Sequence, residues 1–434
     1  MKKEKNKKYE GGITLVALVV TIVILLILAG VSLNLVIGNA GILTRSKEAA
    51  NKYGKQAENE QQGLNDVDDW MDEQFGDTGM KKVTVNTKAT KNGTINGQEP
   101  NINNPIIPKG YTPINAGSAT WGDGNSSPAP SSIDNGLVIK DDNNNEWVWI
   151  PVEASVLSGM YATSNEGIAL SGDVGVTTKM HTKTTTIGRT GDTKTIPRST
   201  PNTTDYREPD LVTNYDKDEA YYKTILGFDT PKAMAEAFTA DYANMISSIK
   251  KYGGFYIGRY ELSNEGVQKE KATLNNKNWY ELYKKCTTLN ASNKVESKMV
   301  WGIQWDLTCD FISKKGEQKS INDSTAWGNY KDSTGDAAVM DGTTQKYGSK
   351  QATGYSEYWK ANNIYDLAGN CWEWTQEAYD TDSRASRGGV YYKDSSSCPA
   401  SGRYDYNANN SDYSIRLSSH FNNKVGLNPE NNKY

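Results

Sequence analysis

The interpretation of the chain rests on one stretch, Asn363-Ile364-Tyr365-Asp366-Leu367-Ala368-Gly369-Asn370-Cys371-Trp372-Glu373-Trp374. It carries two carboxylates seven residues apart, Asp366 and Glu373. Gly369 and Asn370 between them favour a tight turn that points backbone carbonyls inward. Hard cations such as Ca²⁺ prefer this mixture of carboxylate and carbonyl oxygens. From this chemistry alone, a calcium-binding loop and a purely structural turn with solvated carboxylates are equally supported.

The end of this stretch also predicts how its side chains are buried. Trp372 and Trp374 alternate around Glu373. In an extended chain, alternate side chains point to opposite sides. We therefore expect both indoles to be buried on one side while Glu373 faces the loop.

The segments that precede this stretch have the patterns of a mixed α+β domain. Residues 146–152 and 254–261 are apolar enough to form strands. Between them, residues 230–252 carry the strongest helix pattern, which Thr-Pro begins and Gly-Gly ends. Further helices are expected over residues 278–286 and 304–312. Because strands and helices do not alternate strictly, a doubly wound parallel sheet is not expected. The prediction is a loop-rich α+β fold with a small mixed sheet and flanking helices.

The quoted stretch, followed by Ser386-Arg387-Gly388-Gly389, resembles the formylglycine-generating-enzyme/sulfatase-modifying-factor family. Its domain is a variant of the C-type-lectin-like fold, and the resemblance covers roughly residues 140–420. We assign this domain to residues 111–434. The resemblance implies a Ca²⁺ site whose ligands are the side chains of Asp366 and Glu373 and the carbonyls of Gly369 and Cys371.

Oxidase members of this family use two cysteines to hold copper and to attack the cysteine of a sulfatase. The corresponding positions in this chain are Lys393 and Cys398. Soft Cu(I) prefers thiolate ligands, and a lone thiol cannot reproduce a two-sulfur site. Copper is therefore not expected, and Cys398 would be catalytic only if the alternative of a formylglycine-generating oxidase held.

A tyrosine-rich region near the C-terminus is the candidate for ligand binding. Tyrosine offers rigid contact area, and asparagine and serine offer adaptable hydrogen bonds, as in antibody paratopes. The composition is similar to that of lectin-like variable proteins diversified by retroelements; the alternative is a solvent-facing end of the domain. The predicted ligand-binding residues are Tyr391, Tyr392, Tyr404, Tyr406, Asn407, Asn409 and Tyr413.

The N-terminus predicts membrane insertion. Residues 13–44 contain no Asp, Glu, Lys, Arg or His, and 13–37 are long enough to cross a bilayer as a helix. Five lysines precede this run, so the C-terminal domain is expected outside the cell. We expect a transmembrane and stalk helix over residues 13–75, and a linker over 76–110 with one short strand near 82–85.

The junction at Gly12-Ile13 resembles a type IV prepilin leader, residues 1–12, cut by a prepilin peptidase. In that family, a glutamate at the fifth mature position pairs with a neighbouring subunit in the filament. That position is Ala17 here, which weakens the expectation of a pilus. A plain membrane anchor is the alternative, so the protein is expected in the cell membrane as a single-pass protein or in a surface filament.

Composition excludes several other classes of protein. With 48 Lys and Arg against 52 Asp and Glu, the charge of −4 argues against nucleic acid as a partner. Two histidines exclude three-histidine metal sites. Cys286 and Cys309 either form a disulfide or are buried free thiols. The leading interpretation is a surface protein that binds an external protein or glycan without catalysis; the alternatives are the oxidase and a structural minor pilin.

Overall fold

The computed structural model describes residues 80–114, 133–160, 166–169, 177–179, 219–275, 277–287, 289, 295–378, 383–408, 414–415 and 417–421. These residues belong to the larger of the two units into which the chain divides, residues 78–434. The predicted leader, membrane helix and stalk lie outside the described residues. Within the described ranges, no helix is both long and apolar enough to cross a membrane.

The described ranges contain short strands, four α-helices and long loops. In chain order, the strands are β1 (Lys81–Lys82), β2 (Gly93–Thr94), β3 (Ile106–Ile107), β4 (Thr112–Ile114), β5 (Val138–Lys140), β6 (Glu146–Pro151), β7 (Glu166–Ala169), β8 (Thr177–Lys179), β9 (Gly254–Gly258), β10 (Val295–Met299), β11 (Met340–Asp341), β12 (Thr344–Gln345), β13 (Lys360–Ala361), β14 (Ile364–Tyr365), β15 (Glu373–Ala378), β16 (Ser383–Arg387), β17 (Arg403–Asn407), β18 (Ser414–Ile415) and β19 (Leu417–Phe421). The helices are α1 (Ala154–Met160), α2 (Pro231–Tyr252), α3 (Trp279–Cys286) and α4 (Gly302–Lys314), with a π-helical turn at Ala220–Ile225 and a 3₁₀ turn at Gly335–Ala337. The fold is a loop-rich mixture of helices and small sheets, which confirms the predicted α+β class.

The largest sheet has six strands in the order β10-β19-β9-β6-β5-β4, and every neighbouring pair is antiparallel. The two apolar segments predicted as strands are β6 and β9, which pair from Trp147 opposite Gly258 to Pro151 opposite Gly254. Pro151 ends β6 because proline has no backbone N–H for the ladder. Helix α2 packs against β9 and β19, and α4 packs against β6 and β15.

Helix α2 begins and ends where its sequence predicts. The Thr230 hydroxyl accepts a hydrogen bond from the Ala233 N–H at 3.1 Å, and Pro231 occupies the first turn. Gly253 ends the helix in the left-handed conformation, with φ of 80°. The predicted apolar face is buried and consists of Met234, Phe238, Met245 and Ile249.

Helices α3 and α4 also form at the predicted segments. Asn278 and Glu281 form a capping box at the start of α3, and α4 is longer than predicted at both ends. Cys286 and Cys309 on these helices are buried free thiols, so of the two alternatives the disulfide is not formed.

Residues 80–114 carry more structure than the predicted linker with a single strand. Strands β1, β2 and β3 form a small sheet, and Ile95, Ile106 and Ile107 are buried in the core. The hydroxyl of Tyr256 on β9 donates a hydrogen bond to the Ile106 carbonyl at 2.9 Å. The burial of these isoleucines in the hydrophobic core stabilises the segment.

A four-stranded sheet, in the order β17-β16-β15-β18, brings the informative motifs together. Strands β15 and β16 are antiparallel, and Glu373 lies opposite Arg387. Strand β17 pairs with β16, and Tyr404 lies opposite Ser386. The loop over residues 365–374, which we call the carboxylate loop, therefore lies beside the Arg-Gly-Gly segment and the tyrosine-rich strand β17.

Candidate functional site

The carboxylate loop owes its shape to three residues with left-handed backbones. Asp366, Gly369 and Asn370 have φ values of 56°, 79° and 55°. Glycine is required at 369 because a Cβ atom there would collide with the backbone of Asn329. The predicted tight turn at Gly369-Asn370 is confirmed.

The Arg-Gly-Gly segment packs directly against this loop. The Gly369 N–H donates to the Gly388 carbonyl at 2.7 Å. Gly388 and Gly389 both have positive φ, and a Cβ atom on Gly389 would collide with the carbonyl of Cys398. The two glycines therefore allow three backbone segments to meet, which is why the two sequence motifs occur together.

The predicted metal-binding residues Asp366, Gly369, Cys371 and Glu373 all lie in or beside this loop. Asp366 and Glu373 are buried, and the Gly354 N–H donates to the Asp366 carboxylate at 2.6 Å. Burial raises the pKa of the Cys371 thiol, and the negative charges of Glu261, Glu373 and Asp366 raise it further. Within the described ranges, no group of three or more His, Cys, Asp or Glu side chains is arranged to hold a metal ion.

Solvent exposure does not distinguish Glu373 from the two indoles that flank it. Trp372, Glu373 and Trp374 are all buried, and so is every residue of β15. Strand β15 lies between β16 and β18, and α4 packs against it. Alternate residues of β15 therefore do not divide into a buried side and a solvent-facing side.

Glu261 is a site residue that sequence reasoning did not single out. Its buried carboxylate accepts hydrogen bonds from the Thr273 hydroxyl at 2.7 Å, the Asn370 side-chain amide at 2.7 Å and the Cys371 N–H at 3.1 Å. The available signal was an acidic residue at the end of an apolar segment, 109 residues before Asn370.

Asn370 connects this carboxylate to the surrounding loops. Its side-chain oxygen accepts from the Gln351 N–H at 3.0 Å and the Asn329 amide at 3.1 Å. Its backbone N–H donates to the Asn329 carbonyl, and its carbonyl accepts from the Tyr391 N–H at 3.1 Å. The loop with the carboxylates and the loop with Tyr391 are therefore joined at this residue.

The described tyrosines of the predicted ligand-binding set form two groups. Trp372 supports one group, with its ring 4.7 Å from Tyr404 and 6.2 Å from Tyr406. The other group is Tyr391 and Tyr392, with rings 5.1 Å apart in an edge-to-face arrangement. Tyr392 is 52% exposed.

The residues of the predicted ligand-binding set differ in exposure, and two of them are not described by the structure. Asn407, at the end of β17, is exposed, and Tyr391, Tyr404 and Tyr406 are partly buried. Asn409 and Tyr413 lie outside the described residues. We call Tyr391, Tyr392, Trp372, Tyr404 and Tyr406 the tyrosine face.

The two positions that correspond to oxidase cysteines are chemically unlike. Lys393 is exposed, and its ammonium lies 5.9 Å from the centre of the Tyr392 ring. Cys398 is buried, and its thiol donates to the Asp394 carbonyl at 3.3 Å. Burial, with the negative charges of Asp332 and Asp394, raises the pKa of this thiol to about 11.

A buried network of four charges supports the strands of the site and was not anticipated from the sequence. Arg387 and Arg403 both donate to Asp306, each at 2.7 Å, and Arg403 donates to Glu377 at 3.0 Å. Burial lowers the pKa of Arg387, as does the charge of Arg403, while the two carboxylates oppose this. Because two positive and two negative charges are combined, the network is neutral and joins α4 to β15, β16 and β17.

Comparisons with known proteins give distant structural likenesses. No family model matches the chain, and no curated protein matches it. Among solved structures, the chain is similar to Treponema denticola variable protein 1, at 14% identity and a TM-score of 0.27, over 39% of this chain and 85% of that one. It is also similar to PvdO from Pseudomonas aeruginosa, at 11% identity and a TM-score of 0.29, over 39% of this chain and 82% of that one.

Proposed function

We propose that this chain is a membrane-anchored or pilin-like surface protein. Its external domain, of C-type-lectin-like type, binds a protein or glycan ligand through the tyrosine face without catalysis. The observation that carries the proposal is the contrast between an unreactive pair, Lys393 and Cys398, and the partly exposed aromatic cluster beside it.

The chemistry of the pair opposes oxidase activity. With a pKa of about 11, the Cys398 thiol is ionised to about one part in ten thousand at pH 7. The thiolate is the form that attacks and that binds metals. The protonated amine of Lys393 cannot ligate copper and repels a cation. Neither residue supplies what a two-sulfur copper centre requires.

The arrangement of the aromatic residues supports binding. Tyr404 and Tyr406 rest on the buried ring of Trp372, and Tyr391 is tied to Asn370 by its backbone N–H. Rings held in this way lose little conformational entropy when a ligand is bound. Phenol hydroxyls at a partly exposed surface can also form hydrogen bonds with polar ligands. These are properties of a recognition surface.

We also propose a structural calcium ion in the carboxylate loop. Asp366 and Glu373 would hold it with their side chains, and Gly369 and Cys371 with their carbonyls. The support for this proposal is the chemistry of the set, because carboxylate and backbone carbonyl oxygens are the ligands that a hard cation takes. The ion would fix the conformation of the loop that leads to Trp372. Because the residues that would bind the ion are buried, the external ligand would contact only the tyrosine face.

The binding proposal is tested on arrays of purified surface proteins and glycans probed with the full chain. For any ligand bound by the natural protein, Tyr392→Ala or Tyr404→Ala should weaken binding by about 30-fold if the residue is central. Tyr358→Ala is the matched control, because Tyr358 is 54% exposed and lies outside the tyrosine face. Equal losses in all three variants, or no loss in the face variants, would contradict the proposal.

The absence of catalysis is tested separately. The purified chain is incubated with copper, oxygen and a sulfatase-type cysteine peptide, and the peptide is examined by mass spectrometry for aldehyde. We expect none. Multiple turnovers would overturn the non-catalytic interpretation, and turnover that survived Cys398→Ser would locate the chemistry at other residues.

A further inference from the structure

The two groups of the tyrosine face are joined by a three-residue segment, 370–372. At its start, the Asn370 carbonyl accepts the Tyr391 N–H at 3.1 Å, which anchors the turn carrying Tyr391 and Tyr392. At its end, the ring of Trp372 supports Tyr404 and Tyr406. The spacing between the two groups therefore depends on how firmly this segment is held.

The buried carboxylate of Glu261 holds residues 370–372 by hydrogen bonds. Glu261 accepts from the Asn370 side-chain amide at 2.7 Å and from the Cys371 N–H at 3.1 Å, and it also accepts from the Thr273 hydroxyl. Hydrogen bonds to a charged acceptor are about twice as strong as neutral ones. Two of the three donors come from the segment itself, so Glu261 fixes both its position and its orientation.

The backbone of Asn370 makes this contact specific. Its φ of 55° lies in the left-handed region, which asparagine tolerates better than most side chains. That conformation lets the side chain reach Glu261 and Gln351 while the carbonyl reaches Tyr391. A residue that abandoned the conformation would break the contacts on both sides together.

We propose that Glu261 and Asn370 are positioning residues for the tyrosine face, which they hold in its binding-ready arrangement before any ligand arrives. The inference rests on the proposed binding function. It adds that recognition depends on two buried polar residues that touch no ligand, and that one of them lies more than 100 residues before the face.

The pair can be tested by exchanging its donor and acceptor. Asn370→Asp sets one carboxylate against another at the 2.7 Å contact, and should free the segment. In the double variant with Glu261→Gln, the new amide at 261 can donate to the new carboxylate at 370, so one donor again faces one acceptor. Asn370→Gly is a second single variant, because it keeps the left-handed backbone and removes only the side-chain bonds. Asn144→Asp is the matched control, since Asn144 is an exposed asparagine with φ of 63° in the turn between β5 and β6.

Amide hydrogen exchange of the full chain, read by mass spectrometry, requires no known ligand. The N–H groups of Gln351 and Tyr391 donate to the side-chain oxygen and to the backbone carbonyl of residue 370. In Asn370→Asp and Asn370→Gly the segment loses its hydrogen bond to Glu261 and should hold these acceptors less firmly, so peptides that contain Gln351 and Tyr391 should exchange faster by about tenfold or more. Peptides from β6 and β9 should be unchanged. The double variant should recover slow exchange at Gln351 and Tyr391, and Asn144→Asp should resemble the natural protein.

Three results would overturn the inference. The first is unchanged exchange at Tyr391 in both single variants, and the second is failure of the double variant to recover. The third is faster exchange by the same factor in β6, β9 and the face, which would mark a general loss of stability. The binding proposal is judged separately. If a variant shows faster exchange in the tyrosine face but binds a ligand found on the arrays with unchanged affinity, the tyrosine face is not the binding surface. That result would leave the role of Glu261 and Asn370 intact.

Discussion

Glu357 shows how a single exposed carboxylate can be held in its charged form. It accepts hydrogen bonds from Lys269 at 2.9 Å, Lys360 at 2.8 Å and the Tyr365 hydroxyl at 2.7 Å. Burial alone would raise its pKa, but these bonds outweigh it and lower the pKa to about 2. The charged form is therefore favoured in the folded protein over the unfolded chain.

This shift predicts a pH-dependent contribution to stability. Since the folded pKa lies below the ordinary value of 4.5, the contribution is full above pH 4.5 and is lost as the pH falls towards 2. Glu357→Gln should lower the free energy of unfolding at pH 7 by less than about 1 kcal/mol, because the side chain is largely exposed. Urea denaturation at pH 7, 4 and 3 measures this. A difference that grew as the pH fell would contradict the assignment.

Single residues also mark the boundary of what the sequence can predict. Gly369 and Asn370 are recognisable as a turn because their backbone preferences act locally. Thr230 and Gly253 are recognisable as helix ends for the same reason. The contact of Glu261 with Asn370 depends on how distant segments pack, and no local preference encodes it.

At the scale of elements, the buried charge network holds the sheet that carries the site. Asp306 lies on α4, Glu377 on β15, Arg387 on β16 and Arg403 on β17. All four side chains are almost completely buried. Each charge is compensated only while the others are present, so the network is sensitive to the loss of one member.

Removing one arginine should therefore be costly. Arg387→Met leaves Asp306 and Glu377 with Arg403 alone, and should lower the free energy of unfolding by about 3–5 kcal/mol. Lys277→Met is the control, because it removes an exposed ion pair with Glu281, four residues along the chain, worth about 0.2–1 kcal/mol. Denaturant unfolding followed by fluorescence compares the two. A cost below about 1 kcal/mol for Arg387→Met would mean that water or rearrangement relieves the stranded charge.

The carboxylate loop carries the calcium prediction. If Asp366 and Glu373 bind Ca²⁺, the folded state should gain about 2.7 kcal/mol at a calcium concentration 100 times the dissociation constant. The melting temperature of the purified chain should fall on treatment with chelator, and Asp366→Asn should remove the effect. Asp142→Asn, at an exposed turn, is the control. An unchanged melting temperature together with no metal by elemental analysis would eliminate the site.

Elements differ in how far the sequence alone predicts them. Helix α2 forms within one residue of its predicted limits because its cap, its apolar face and its terminal glycine all agree. Every residue of β15 is buried, Glu373 included, and two of the elements that contact it, α4 and β10, lie far earlier in the chain, so local alternation does not predict this burial. The isoleucines of residues 95–107 fall in the predicted linker because short apolar pairs among Gly and Asn carry little periodicity.

For the whole molecule, the sequence divides the chain by composition into an apolar N-terminus and a polar, aromatic remainder. Mean hydropathy is −0.70, yet residues 13–44 carry no charged side chain or histidine. A polar chain with one such run is typical of a protein fixed at a membrane by a single helix. If this run crosses the membrane as we propose, the flanking charges select the side on which the larger unit folds.

The last prediction concerns that orientation. Five lysines precede the apolar run, and positive residues flanking a membrane helix stay in the cytoplasm, so residues 45–434 should lie outside the cell. Protease added to intact cells should remove the C-terminal domain, detected with an antibody to the C-terminus. The purified chain must be cleaved under the same conditions, because a compact domain can resist proteolysis without being enclosed. Full protection in intact cells, combined with cleavage once the membrane is permeabilised, would place the domain inside and remove the basis for recognition of an external ligand.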